Sequence, residues 1–291
     1  MAERFAGSAA RRIWPLAPPR VPWGAAVRAA AAIGALSLVA ACAQVRTTAP
    51  GVAGIDRSQY LSFPAKQFNQ LMAASYATTM REASDQQALN RDRAMLERVR
   101  AIAQRMIVHT AGFRADAPGW HWEVNVISSD QLNAFCVGEG KIGVFSGIIE
   151  ALRLSDDEIA AIMGHEIAHV LREHGRERAS QESRSQWVTG LIGALVGDEH
   201  GEVLHLSALF YLLPNSREQE TEADRMGVEL AARAGYDPKA ALTLWRKLER
   251  RAGRQPPQFW NTHPSHASRL KDLQTYSEKA SASYQPAQRR D

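Results

Sequence analysis

Met95, Val99, Ile102 and Met106 recur at helical spacing and predict an amphipathic helix over about 88–110. Trp122, Val124 and Val126 alternate with His121, Glu123 and Asn125, a period of two that predicts a strand. Ile142 and Val144 mark a second strand, set off by the glycine-containing turn Val137-Gly138-Glu139-Gly140. Ser155 and Glu158 stand three apart before an apolar run. That is a capping-box signature, so a helix is expected from there through about Gly175. Another helix is expected from about Ser216 to Ala234, ended by Gly235 and Tyr236-Asp237-Pro238. Helices dominate and strands are few, which predicts an α+β fold: a mainly helical domain with one small β-sheet.

Two apolar stretches fall outside this pattern. Ala29–Ala41 is 13 residues long. It is too short to span a bilayer core of ~30 Å and suits the apolar part of an export signal. It closes on Leu38-Val39-Ala40-Ala41-Cys42, which resembles a bacterial lipobox. In that motif the cysteine is acylated and becomes the new N-terminus, so Cys42 is the expected lipidation site. Cleavage at an ordinary Ala-x-Ala site is the alternative. Ala43, where an Asp would signal inner-membrane retention, resembles outer-membrane lipoproteins. The second stretch, Trp187–Leu213, is broken by Asp198, Glu199 and Glu202. It reads as a core or lid element, with a membrane-dipping hairpin as the alternative. The organisation expected is a signal peptide over 1–41, a small polar tether over 42–58, one domain over 59–280 and a loose tail over 281–291.

The chain has 291 residues, 45% of them hydrophobic, enough for a substantial core. Its formal charge of +4 comes entirely from the N-terminus, where Arg4, Arg11, Arg12, Arg20 and Arg28 face Glu3 alone. The remainder is neutral, so no basic face is left to bind nucleic acid. With Cys42 lipidated, Cys136 has no partner and reads as a small buried hydrophobe. A Cys42–Cys136 bridge is the alternative.

The chemistry lies in Gly164-His165-Glu166-Ile167-Ala168-His169, inside the capped helix. Residues at i and i+4 share a face, so both imidazoles can grip one metal ion. Glu166 stands beside that face, placed to touch a metal-bound water and not the metal. Ile159, Ile162, Met163 and Ile167 seat the helix in a core. A catalytic zinc site needs a third protein ligand and an open position. Glu220, 51 residues after His169, is the expected third ligand, because Asp224 four residues on shares its face. Asp224 would accept from the far nitrogen of a ligand histidine and fix its tautomer. Glu218 and Glu222 compete for the ligand role, but neither has an Asp at i+4, and Glu222 projects to another face. The extra glutamates are read as an acidic first turn answering the helix dipole. His174, five after His169, leaves the ligand face and reads as structural.

The sequence HEIAH, followed by Ser216-Arg217-Glu218-Gln219-Glu220 and Glu222-Ala223-Asp224, resembles the HtpX/BepA/LoiP group of gluzincins. That group is related to the CAAX prenyl endopeptidase and the mitochondrial Oma peptidase. The likeness covers roughly residues 60–275 and is closest to the periplasmic lipoprotein members. It implies a gluzincin domain holding one Zn2+ per chain, and an endopeptidase in which Glu166 is the general base. The implied substrates are unfolded or misassembled envelope proteins, and the implied place is the periplasmic side of the outer membrane, with Cys42 as a lipid anchor. Asn133-Ala134-Phe135 resembles the edge strand on which such enzymes bind substrate backbone. His263 and Arg269 resemble the His/Arg pair of the CAAX-peptidase relatives, which approaches the open side of the zinc as a transition-state donor. In some periplasmic relatives the histidine instead caps the metal and holds the enzyme latent. A non-catalytic quality-control module with the same metal-stabilised fold is the rival reading.

Overall fold

A computed structural model describes residues 44–182, 214–252, 259–264 and 268–284. Cys42, the 187–213 stretch and the tail from 285 onward lie outside the described residues. Among those described, no helix is long and apolar enough to cross a membrane.

The predicted amphipathic helix is α2 (Arg93–Ile107), following α1 (Ala65–Asp85). Asp92 caps α2 by accepting from the Met95 amide at 2.9 Å. The sheet has three strands, β3 (Glu123–Ile127), β4 (Ala134–Val137) and β5 (Lys141–Phe145), in the order β3-β5-β4. β3 runs parallel to β5, whereas β4 pairs antiparallel with it, Ala134 opposite Val144. The glycine turn therefore joins β4 to β5. Gly138 and Gly140 both sit at positive φ there, and at Gly140 a Cβ would stand 2.5 Å from the Trp122 ring. β4 lacks an alternating pattern because all four of its residues are buried. α1 lays Phe68, Met72, Tyr76 and Met80 over this sheet against Phe135, Val137 and Ile127.

After α3 (Ser146–Leu152) comes α4 (Asp156–Leu171), with both halves of the Ser155/Glu158 capping box formed. α4 is buried on nearly all sides, so it is a central helix and not a surface one. α5 (His174–Glu182) follows, then α6 (Arg217–Arg233), capped by Ser216 and Gln219. Gly235, at φ +79°, turns the chain away just past the Ala234 C-cap of α6. α7 (Ala240–Ala252), the short α8 (Phe259–Thr262) and α9 (Arg269–Ala280) close the fold. The α+β architecture matches the sequence pattern.

α4 and α6 cross where two glycines meet. A Cβ on Gly164 would stand 2.7 Å from the Gly227 carbonyl oxygen, and one on Gly227 would stand 2.6 Å from the His165 amide nitrogen. Only glycines let the two backbones come this close.

Residues 44–58 are not a free tether. β1 (Gln44–Val45) pairs antiparallel with β2 (Gln59–Tyr60), and Ala53 and Ile55 between them are buried in the main core. The Ala53 amide donates to Oε2 of Glu229 on α6 at 2.9 Å. Small residues suit close packing as well as solvation, so composition alone misread this strap.

Candidate active site

α4 carries His165, Glu166 and His169 in its buried C-terminal half. Their spacing turns both imidazoles to one side, with the two Nε2 atoms 3.0 Å apart. The first turn of α6 faces them with Glu220, which is fully buried. Oε2 of Glu220 lies 3.5 Å from Nε2 of His165, and Oε1 lies 3.3 Å from Nε2 of His169. His263, just after α8, enters the same space. Its Nδ1 lies 3.1 Å from Nε2 of His165 and 3.0 Å from Oε1 of Glu220. The four donors all fall within 4.8 Å of one another.

These distances suit a small cation. Tetrahedral ligands held ~2.0–2.1 Å from zinc stand ~3.3 Å from each other. Burial pushes the His169 imidazole well below its ordinary pKa, which keeps it neutral as a ligand must be. Burial opposes ionisation of Glu220, but His263 and His165 overcome it and hold the carboxylate far below its usual range. Among the described residues, Oε2 of Glu220 and Oε1 of Glu166 are buried without a well-aligned hydrogen bond, although each has a cationic or titratable neighbour, Nη1 of Arg269 at 2.9 Å and Nε2 of His263 at 3.4 Å. The two oxygens keep lone pairs that a cation or a water in this space would use.

Asp224 lies where the i+4 spacing put it, with Oδ1 2.9 Å from Nδ1 of His165. Arg269 does not approach the cleft. Its Nε donates to Oδ2 of Asp224 at 2.7 Å and its Nη2 to Oδ1 at 2.8 Å. Its Nη1 stands 2.9 Å from Oε2 of Glu220, and its guanidinium lies 3.4 Å over the Trp245 ring. The arginine expected at the open side is thus a buried brace behind the donors. His263 stacks on Phe259, ring centroids 4.1 Å apart, and its Nε2 comes to 3.4 Å from Oε1 of Glu166.

Glu166 faces the cleft but is not one of the four donors. Burial raises its pKa above the ordinary carboxylate value. β4 is the sheet edge along this cleft, and Asn133, Ala134 and Phe135 all line it. Oδ1 of Asn133 accepts from the Ala134 amide at 3.0 Å. Phe135 also packs against Tyr76, ring centroids 6.2 Å apart. Cys136 is buried beside it, and burial raises its thiol pKa.

Two participants, Asn215 and Arg178, escaped the sequence reading, and two more, His174 and Glu222, do something other than it assigned. Asn215, one residue before the α6 cap, donates from Nδ2 to Oε1 of Glu220 at 2.7 Å. Arg178 of α5 contacts Asn215 and lines the cleft, its pKa pulled down to about 10 by burial. Neither has a spacing signal. His174 and Glu222 form a third contact layer: Nδ1 of His174 lies 2.9 Å from Nδ1 of His169, and its Nε2 lies 3.0 Å from Oε2 of Glu222. The i+5 position of His174 disguised this, because α4 ends at Leu171 and Glu173 turns the chain at φ +52°.

Residues 94–277, which contain every one of these donors, match Peptidase family M48. This chain belongs to peptidase family M48. Among its relatives, the mitochondrial metalloendopeptidase OMA1 of Arabidopsis thaliana is 38% identical over 156 residues, 53% of this chain and 31% of its own. The metalloendopeptidase OMA1 of Bos taurus is 29% identical over 238 residues, 75% of this chain and 44% of its own. The beta-barrel assembly-enhancing protease of Escherichia coli K12 is 29% identical over 196 residues, 62% of this chain and 38% of its own. The matched parts thus span less than half the length of these relatives. Metallopeptidases of family M48 depend on a metal, and the His165/His169/Glu220/His263 group can hold one.

Proposed function

We propose that this M48 chain is a zinc-dependent endopeptidase acting on unfolded or misassembled proteins of the cell envelope. The observation that carries the reading is a buried carboxylate, Glu166, standing beside a buried His/His/Glu donor set but outside it. His165, His169 and Glu220 are the ligands. Zinc held there supplies a Lewis acid and lowers the pKa of a water to about 7. Glu166 takes the proton of the attacking water and passes it to the leaving amine. Burial raises its pKa, which makes it a stronger base toward that water. The β4 edge holds an extended peptide by main-chain hydrogen bonds, with little regard for sequence. Asp224 fixes the tautomer of His165, and Arg269 holds Asp224 ionised.

Nδ1 of His263 lies 3.0–3.1 Å from two of the ligand atoms, close enough that its imidazole would take the position an open catalytic site leaves to water. It acts as a latch in this reading: the described state is a closed one, and productive binding displaces the imidazole. The Escherichia coli relative is named for enhancing β-barrel assembly, which supports envelope substrates. The sequence around Cys42 supports an outer-membrane lipid anchor on the periplasmic side. Cleavage of casein or another unfolded client by wild type and not by Glu166→Gln tests the proposal. Equal cleavage by both removes Glu166 from the chemistry.

A further inference from the structure

Each metal-facing imidazole must have its far nitrogen held if the near one is to keep its aim. Asp224 does this for His165. Among the described residues His169 touches no carboxylate on that side and meets His174 instead, Nδ1 to Nδ1 at 2.9 Å. One proton arrangement leaves the Nε2 lone pair of His169 for the metal and keeps His174 neutral. His169 carries its proton on Nδ1 and donates it to His174. His174 carries its own on Nε2 and donates to Oε2 of Glu222, 3.0 Å away.

Glu222 is gripped in turn from two directions. Arg172 donates to its Oε2 from Nε at 3.1 Å and from Nη2 at 3.0 Å. Arg57 donates from Nε to Oε1 at 2.7 Å and from Nη2 to Oε2 at 3.1 Å. Arg57 belongs to the strap between β1 and β2, 165 residues away in sequence. The strap is pinned beside it by fully buried Gln59, whose Nε2 donates to the Arg172 carbonyl at 2.6 Å and to Oε2 of Glu177 at 2.9 Å. Arg172 and His174 are themselves fully buried. A hydrogen-bonded path therefore runs from the N-terminal strap to His169 in three contacts: Arg57 to Glu222, Glu222 to His174, His174 to His169.

We propose that His174 is the positioning residue for His169, and that Arg57 completes it through Glu222, so that the N-terminal strap is a working part of the metal centre. The inference rests on the metal-centre reading above. It makes His165 and His169 equivalent in design. Each has a carboxylate braced by arginine behind it, directly for His165 and through an imidazole for His169. A network that only glued the strap to the domain would leave metal affinity untouched.

Zinc dissociation constants of the full-length chain, measured by competition with a chelator, separate the two. His174→Phe should weaken zinc by ~10–100-fold, the usual effect of removing such a partner. His174→Gln should restore most of the loss, because its amide can accept from His169 and donate to Glu222. Arg57→Gln should weaken zinc by a smaller factor. The Arg57→Gln/His174→Phe double variant should bind zinc as His174→Phe does, since the strap acts only through His174. With Co2+ in place of zinc, His174→Phe should shift the visible ligand-field bands. Losses that multiply in the double variant, or wild-type affinity in His174→Phe, overturn the proposal. Should His174→Phe not fold, Arg57→Gln decides, and unchanged zinc affinity there overturns it. A wild-type chain that takes up no stoichiometric zinc sinks the metal-centre reading itself, and this proposal with it.

Discussion

The crossing of α4 and α6 offers a test in which fold and site respond differently. In Gly227→Ala the new Cβ would stand 2.6 Å from the His165 amide nitrogen and 2.8 Å from the Gly164 carbonyl carbon. Both are backbone atoms of a buried helix, so neither can swing aside. Ordinary contact begins near ~3.5 Å, so the helices must part by ~0.7–0.9 Å. Overpacking of this kind costs ~1–3 kcal/mol. Alanine gives back up to ~1 kcal/mol in helix propensity. The net loss of stability is therefore modest, ~0–2 kcal/mol. The site is less tolerant. His165 follows Gly164 directly, and Glu220 lies two turns before Gly227 on the other helix. The His165–Glu220 and His169–Glu220 spacings of 3.5 and 3.3 Å would open with the helices. Metal–ligand distances tolerate only ~0.2 Å. Gly227→Ala should thus lose zinc affinity by ~10-fold or more while the metal-free protein unfolds only slightly earlier in urea. Chelator competition and urea titration of the same preparation measure both. Wild-type zinc affinity together with unchanged or raised stability would refute this account of the crossing.

Glu166→Gln should retain zinc and lose turnover by ~10²-fold or more, read from metal analysis and client cleavage. His165→Ala, His169→Ala and Glu220→Ala should each lose zinc, and normal zinc content in Glu220→Ala would reassign the third ligand. His263→Ala should raise the cleavage rate if the imidazole is a latch; a fall in kcat with zinc retained would make it a transition-state donor instead. Burial alone would raise the pKa of Glu177, but hydrogen bonds from Arg57, Gln219 and Gln59 outweigh it and hold the carboxylate below its ordinary value. Its folded pKa being depressed, its contribution to stability is complete above ~4.3 and lost as pH falls through the lower folded value. Urea midpoints of the metal-free protein between pH 6 and 3 should therefore drop less steeply in Glu177→Gln. Cys42→Ser should release the protein from the membrane fraction or stall processing, and an unmodified mature N-terminus elsewhere by mass spectrometry would rule out lipidation there.

Local periodicity carried the parts of this protein that depend on neighbours a few residues apart. The Ser155/Glu158 and Ser216 caps, the buried faces of α2 and α4 and the i,i+4 pairs His165/His169 and Glu220/Asp224 all repeat within one or two helical turns, so the chain states them outright. β4 was legible only through its resemblance to a substrate-binding edge, because a strand buried on both faces shows no alternation. The sequence could not say which way Arg269 points, since its partner Asp224 is 45 residues away. It could not distinguish a tether from a strap, because whether Ala53 and Ile55 are solvated or buried depends on a surface formed by α6. Nor could it show that Glu222 serves the metal centre through His174, a contact that exists only once the chain turns at Glu173 and α5 folds back against α6. What the chain fixes by itself is the list of donors and the helices that carry them. Which imidazole is braced by which carboxylate, and by which arginine behind it, is settled where α4, α6, α9 and the strap meet. Hydrogen bonds act over about 3 Å in space, whatever the separation along the chain.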